Sequence, residues 1–181
     1  IDYGAIVEPD SEDNYTPLHF AAMEGSLEAA KVLLRNQINI DTVAFTGETP
    51  LHSAALFGQN KFLSYLIDQG AHIDAKNSEG NTALYCAVAV GKKDCVQILM
   101  DKGAQVNCSN HEGLTPLHSA SMEGRLRIAK LLLDRNANIH AQSEEGLTPL
   151  HYAIMYEHIA LTRLFLKHGA QVDQPYPKIN I

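Results

Sequence analysis

Apolar positions along this chain come in pairs of short clusters, not in long runs or strict alternation. A compact cluster opens each unit: Leu18 with Ala21-Ala22, Leu51 with Ala54-Ala55, Leu84 with Ala87, Leu117 with Ala120 and Leu150 with Ala153. Gly25, Gly58, Gly91 and Gly124 follow, supplying the positive φ that ends a short helix. The second cluster is bulkier: Val32-Leu33-Leu34, Leu66-Ile67, Ile98-Leu99, Leu131-Leu132-Leu133 and Leu164-Phe165-Leu166. Gly70-Ala71, Gly103-Ala104 and Gly169-Ala170 close it. Each unit therefore reads as helix, tight turn, helix, then an extended polar loop. Helices this short are marginal alone, so stability must come from stacking, at about 25 cal/mol per Å² of apolar surface buried. Leu18, Leu51, Leu84, Leu117 and Leu150, with Leu33, Leu66, Leu99, Leu132 and Phe165, are the expected continuous core.

The helix starts repeat more strictly than the cores do. Thr16-Pro17-Leu18-His19 returns at Thr49-Pro50-Leu51-His52, Thr115-Pro116-Leu117-His118 and Thr148-Pro149-Leu150-His151, with a degraded copy at Thr82-Ala83-Leu84-Tyr85. The five threonines are spaced by 33 residues each time. A fixed period of this size marks a repeat architecture. Threonine is a good helix N-cap and proline suits the first helical position, where its missing N–H costs nothing.

The period, the Thr-Pro-Leu-His opening and the Gly-Ala ending together resemble the ankyrin repeat family over nearly the whole chain. The resemblance implies an all-α fold, an antiparallel helix pair per repeat with a β-hairpin loop projecting sideways. Such repeats stack into a right-handed curved solenoid with a concave face. It also implies a module that holds other proteins, without chemistry of its own. Several positions depart from the pattern. Ala83 and Tyr85 replace proline and histidine, Gln37-Ile38 replaces Gly-Ala, Asn136 replaces a glycine, and Glu157 stands at the first glycine of the last unit. Asparagine tolerates the left-handed conformation, whereas Gln37 and Glu157 are expected to strain or shift their turns.

By this register residues 1–10 are the remnant of a preceding repeat, and the repeats run 11–43, 44–76, 77–109, 110–142 and 143–175. Residues 176–181 read as the start of a following repeat or a tail. We expect a segment of a longer protein, a monomer, with a cytoplasmic (intracellular) setting.

Composition narrows the function. The net charge of −7 argues against nucleic acid, whose binding rests on clustered lysine and arginine. No run approaches the ~20 apolar residues of a membrane span, and the opening Ile1-Asp2-Tyr3-Gly4 is unlike a signal peptide. Cys86, Cys95 and Cys108 are odd in number and lack CxxC spacing, which reads as reduced thiols; Cys86 and Cys95 could meet within one unit, but burial as small apolar groups is the expectation. The glycosylation patterns at Asn14-Tyr15-Thr16 and Asn107-Cys108-Ser109 lie in the repeat framework and read as coincidence.

Nine histidines invite a metal or catalytic reading. His19, His52, His118 and His151 occupy equivalent places in stacked units, which puts neighbours about 8–10 Å apart. Zinc holds its ligands about 2.0–2.3 Å from the ion, so these histidines are expected to hydrogen-bond loops together instead. No HExxH, zinc-finger spacing, nucleophile elbow or glycine-rich phosphate loop is present. We expect neither an enzyme nor a cofactor.

In the resembled family the partner-facing positions are the hairpin tip, the residue before the threonine and the end of the first helix. Carried over by register they are Glu12, Asp13, Tyr15, Met23 and Glu24; Phe45, Thr46, Glu48, Leu56 and Phe57; Ser78, Glu79, Asn81, Ala89 and Val90; His111, Glu112, Leu114, Met122 and Glu123; and Glu144, Glu145, Leu147, Met155 and Tyr156. These 25 positions hold nine of the 21 acidic residues and none of the 14 lysines and arginines. Large apolar groups among charges mark interaction surfaces. The partner-binding candidates are Tyr15, Met23, Phe45, Glu48, Leu56, Phe57, Glu79, Glu112, Leu114, Met122, Glu123, Glu145, Leu147, Met155 and Tyr156, facing a partner with basic and apolar residues. Some, such as Leu56 and Met122, could instead pack between repeats. Asp41, Asp74, Asn107, His140 and Asp173 are equivalent loop positions with Leu or Phe eight residues earlier, resembling sites of an asparaginyl hydroxylase. That makes Asn107 a possible hydroxylation site, against ordinary turn roles for the set. Two other classes stay open: a regulatory or targeting region of a larger enzyme, channel or toxin, and a structural spacer.

Overall fold

The computed structural model describes residues 14–172. The expected remnant at 1–10, the expected tail at 176–181, and Glu12, Asp13 and Asp173 lie outside the described residues. Five helix pairs follow one another: α1 (Pro17–Glu24) with α2 (Leu27–Arg35), α3 (Pro50–Phe57) with α4 (Asn60–Asp68), α5 (Ala83–Ala89) with α6 (Lys93–Asp101), α7 (Pro116–Met122) with α8 (Leu126–Asp134), and α9 (Pro149–Met155) with α10 (Ile159–Lys167). Among the described residues no segment is a strand, and no helix is long and apolar enough to cross a membrane.

Each first helix starts where the sequence says it should. Thr16, Thr49, Thr82, Thr115 and Thr148 are N-caps with extended backbone. In four of the five starts, the threonine N–H donates to the Nδ1 of the histidine three residues on, at 3.1, 3.2, 3.0 and 3.1 Å. The histidine thus takes the place that glutamate holds in an ordinary capping box. Thr82 has Tyr85 instead, so only the threonine Oγ1 takes part, accepting the Tyr85 N–H at 3.3 Å.

The turn after each first helix is set by a left-handed residue. Gly25, Gly58, Gly91 and Gly124 hold φ between 66° and 78°, and Glu157 holds 57°. The turn at Glu157 is not shifted: His158 N–H reaches Ala153 O at 2.8 Å, matching Arg125 to Ala120 at 2.9 Å. At the second helix stop Gln37 adopts φ 61° and Asn136 62°. Ile38 N–H still reaches Leu33 O but at 3.4 Å, against 3.0 Å for Ala71 to Leu66. The backbone keeps its path, and the strain stays local to side chains that disfavour this φ.

Neighbouring first helices pack against each other more extensively than neighbouring second helices do. Alanines make that approach possible: Ala22, Ala54, Ala55, Ala87, Ala120 and Ala153 are fully buried. The first helices are therefore the more closely packed side of the row. The core is one continuous cluster from Leu18 to Phe165. All the expected core leucines and Phe165 are buried except Leu33, which is only partly so and packs at the margin.

The loops are joined sideways. Each is a tight turn closed on itself, as where Ala44 N–H meets Glu48 O and Gly47 N–H meets Ala44 O, both at 2.9 Å. Adjacent turns then share one bond apiece: Ser78 to Thr46 at 2.9 Å, His111 to Glu79 at 3.0 Å and Glu144 to Glu112 at 2.8 Å. Two closing bonds per turn make a hairpin too short to register as strand.

Candidate partner-binding surface

The capping histidines tie each turn to the next. His19 Nε2 lies 2.9 Å from Glu48 O, His52 Nε2 2.9 Å from Asn81 O, and His118 Nε2 3.0 Å from Leu147 O. Because Nδ1 accepts a backbone N–H, the ring proton sits on Nε2 and donates to these carbonyls. Burial holds all three rings well below the ordinary histidine range, His118 down to about 4, against the opposing pull of the same carbonyl bonds. They are neutral structural donors, and their carbonyl partners are residues that stand just before the next threonine.

Those bonds fix the stripe on which the candidate residues sit. Phe45 is 82% exposed, Phe57 53%, Met155 54% and Tyr156 53%. Glu79, Glu112, Glu123 and Glu145 are exposed as well, while Tyr15, Met23, Glu48, Leu56 and Met122 are half-buried. The Tyr15 hydroxyl donates to Glu48 Oε2 at 2.8 Å, and Tyr156 stacks on His158. Glu123 lies 3.8 Å from Arg125.

Leu114 and Leu147 do not lie on the surface. They are 5% and 1% exposed and form a small buried cluster with Tyr152, against which Tyr85 and Met122 pack. Their place before the threonine is the same as that of Tyr15 and Glu48, yet Tyr152 covers them from the next first helix. These two leucines support the stripe from beneath.

At the centre of the face the stripe deepens to a groove of about 500 Å³, walled by Leu56, Tyr85 and Ala89 and rimmed by Glu48, Glu79 and Glu112. Asn110 Nδ2 donates to Asn81 Oδ1 at 3.1 Å, and Asn81 Nδ2 to Glu79 Oε2 at 2.7 Å, fixing one carboxylate. Burial pushes the Tyr85 phenol up to about 12, aided by the negative charge of Glu112 and Glu79. Burial does the same to the Cys86 thiol, also to about 12, with Glu48 and Glu79 adding to it. Tyr85 and Asn110 were not among the surface candidates read from the sequence; for Tyr85 the signal was the histidine it replaces.

Asn107 is exposed and held at both ends of its amide: Oδ1 accepts the Asn138 N–H at 2.7 Å and Nδ2 donates to Asn136 O at 3.1 Å. Asp41 accepts from His72 N–H at 3.0 Å and Asp74 from Gln105 N–H at 2.9 Å in the same way. At Asp41, Asp74 and Asn107 this loop position ties its unit to the next. The buried Cys95 thiol donates to Asn60 Oδ1 at 3.0 Å, and Cys86, on the other helix of the pair, is a buried free thiol.

A search of curated proteins found no match for the chain. A family model described as ankyrin repeats (3 copies) matches residues 1–77, 39–110, 70–143 and 105–176. Helix pairs at a fixed period, left-handed turns and laterally bonded loops agree with that match, and the chain belongs to the ankyrin repeat family.

Proposed function

We propose that this array is a non-catalytic recognition module whose first-helix face binds a segment of another protein carrying basic and apolar residues. Ankyrin repeats serve in general as protein–protein interaction modules. The observation that carries the reading is a separation of side-chain types. The first helices contain no lysine or arginine at all, while Phe45, Phe57, Met155 and Tyr156 stand exposed in the turns and at the first-helix ends, where Glu48, Glu79, Glu112 and Glu145 also lie. Opposite charge would speed and orient docking, and the exposed aromatic and methionine side chains would supply most of the affinity.

The test is affinity capture from native extract with the wild-type chain and with a Glu79→Lys, Glu112→Lys variant, followed by titration of the captured protein. Loss of most of the affinity on charge reversal supports the reading. Equal affinity of the two would remove this face from consideration.

A further inference from the structure

The back of the array carries the opposite charge. Twelve of the 14 lysines and arginines lie on the second helices or their caps: Lys31, Arg35, Lys61, Lys92, Lys93 and Lys102, then Arg125, Arg127, Lys130, Arg135, Arg163 and Lys167. The last six belong to α8 and α10, which with their caps hold a single acid, Asp134. By contrast α4 and α6 with their caps hold four bases and three acids. Charges more than about 8 Å away are largely screened at physiological salt, so this local excess governs what the back of these two helices meets, not the net charge of the chain.

The back also opens between this pair of helices. Between α4 and α6, Lys102 bridges to Asp68 at 2.5 Å; between α6 and α8, Arg135 bridges to Asp101 at 2.6 Å. His168 stands at the next equivalent position, but its Nδ1 bonds Leu164 O in its own helix at 2.8 Å. Asp134 makes no ion pair among the described residues. One turn away, Ala160 takes the place that Asp94 and Arg127 fill in the preceding units. Losing one bridge and one long side chain leaves a groove of about 400 Å³ lined by Leu126, Ala160 and Leu164, with Lys130, Arg163 and Lys167 around it beside His168 and a single carboxylate, Asp134. Those three cations are exposed and make no ion pair among the described residues.

We infer that this groove between α8 and α10 is a second binding site, for an acidic protein segment that sets an apolar side chain against the apolar lining and carboxylates against the three cations. The array would then hold two partners of opposite charge on opposite sides. Cations around an apolar lining select both features together, since a carboxylate alone leaves the lining exposed and an apolar side chain alone leaves the cations solvated.

The test titrates the ¹⁵N-labelled chain with a short synthetic peptide of glutamates around a central Leu-Phe pair, following backbone amides by NMR. Saturable shifts confined to α8 and α10 are expected. Arg163→Glu with Lys167→Glu should weaken binding at least tenfold, with an unchanged melting temperature because both side chains are exposed. Ala160→Lys separates the groove from simple attraction: it adds positive charge but fills the groove, so binding should fall. Tighter binding by Ala160→Lys, shifts that survive the double reversal, or absence of saturable shifts would overturn the assignment. Binding to phosphatidylserine vesicles with none to the peptide would overturn it equally.

Discussion

The Nε2 of His118 donates to the carbonyl oxygen of Leu147, 29 residues further along the chain and 3.0 Å away. One ring therefore caps its own helix through Nδ1 and pins the next loop through Nε2, which it does only while neutral.

Stability should accordingly fall in acid. The folded pKa of His118 lies at about 4, below the ordinary histidine value of 6.5, because burial disfavours the cation. The unfolded chain binds the proton more readily, so this contribution is fully present above pH 6.5 and is lost as pH falls toward 4. For His118 the loss is on the order of 3 kcal/mol across that window, and the lowered pKa values of His19 and His52 act in the same direction. Urea unfolding at stepped pH measures it. His118→Gln should be destabilised at pH 7 and show a shallower acid dependence.

Gln37 and Glu157 occupy left-handed backbone at φ 61° and 57°. Replacing either with glycine should raise stability by about 0.5–1 kcal/mol, the relief of Cβ strain less the added chain entropy. Thermal melts of the two single variants and the double would check it. The gains should add, because the sites lie in different repeats.

Leu147 and Phe57 should respond in opposite ways. Leu147→Ala removes a side chain that is 1% exposed and should cost about 2–4 kcal/mol of stability. Phe57→Ala, at a site 53% exposed, should change stability by no more than about 0.5 kcal/mol while weakening partner binding by about 1–3 kcal/mol. Paired denaturation and binding curves separate the support from the contact.

The loop ties are testable by exchange. Asn107 Oδ1 accepts the Asn138 amide at 2.7 Å. Asn107→Ala should cost about 0.5–1 kcal/mol and speed hydrogen exchange at Asn138 specifically, leaving Gln105, which bonds Asp74, unchanged.

The fold was legible because its signals are local and repeated. Threonine, proline and glycine act through the backbone of their own turn, so Thr115 and Gly124 announce a helix start and stop without knowledge of anything distant. The histidines were legible for the same reason, since a 33-residue step carries each one to the loop of the next unit. Exposure was harder to read. Leu114 and Tyr15 share a register position, yet Leu114 is buried because Tyr152 is bulky enough to cover its cluster. The groove behind α8 and α10 was invisible for a related reason: it arises from a missing bridge and a small residue at Ala160, both of which matter only beside their neighbours.

Hydrogen–deuterium exchange of the chain, free and saturated with the partner captured on it, locates the face that binds. New protection is expected in the turns and first-helix ends, around Phe45–Glu48, Leu56–Phe57, Glu79, Glu112 and Met155–Tyr156, with the second helices unchanged. Protection confined to the second helices, with those turns exchanging as freely as before, would contradict binding through the first-helix face.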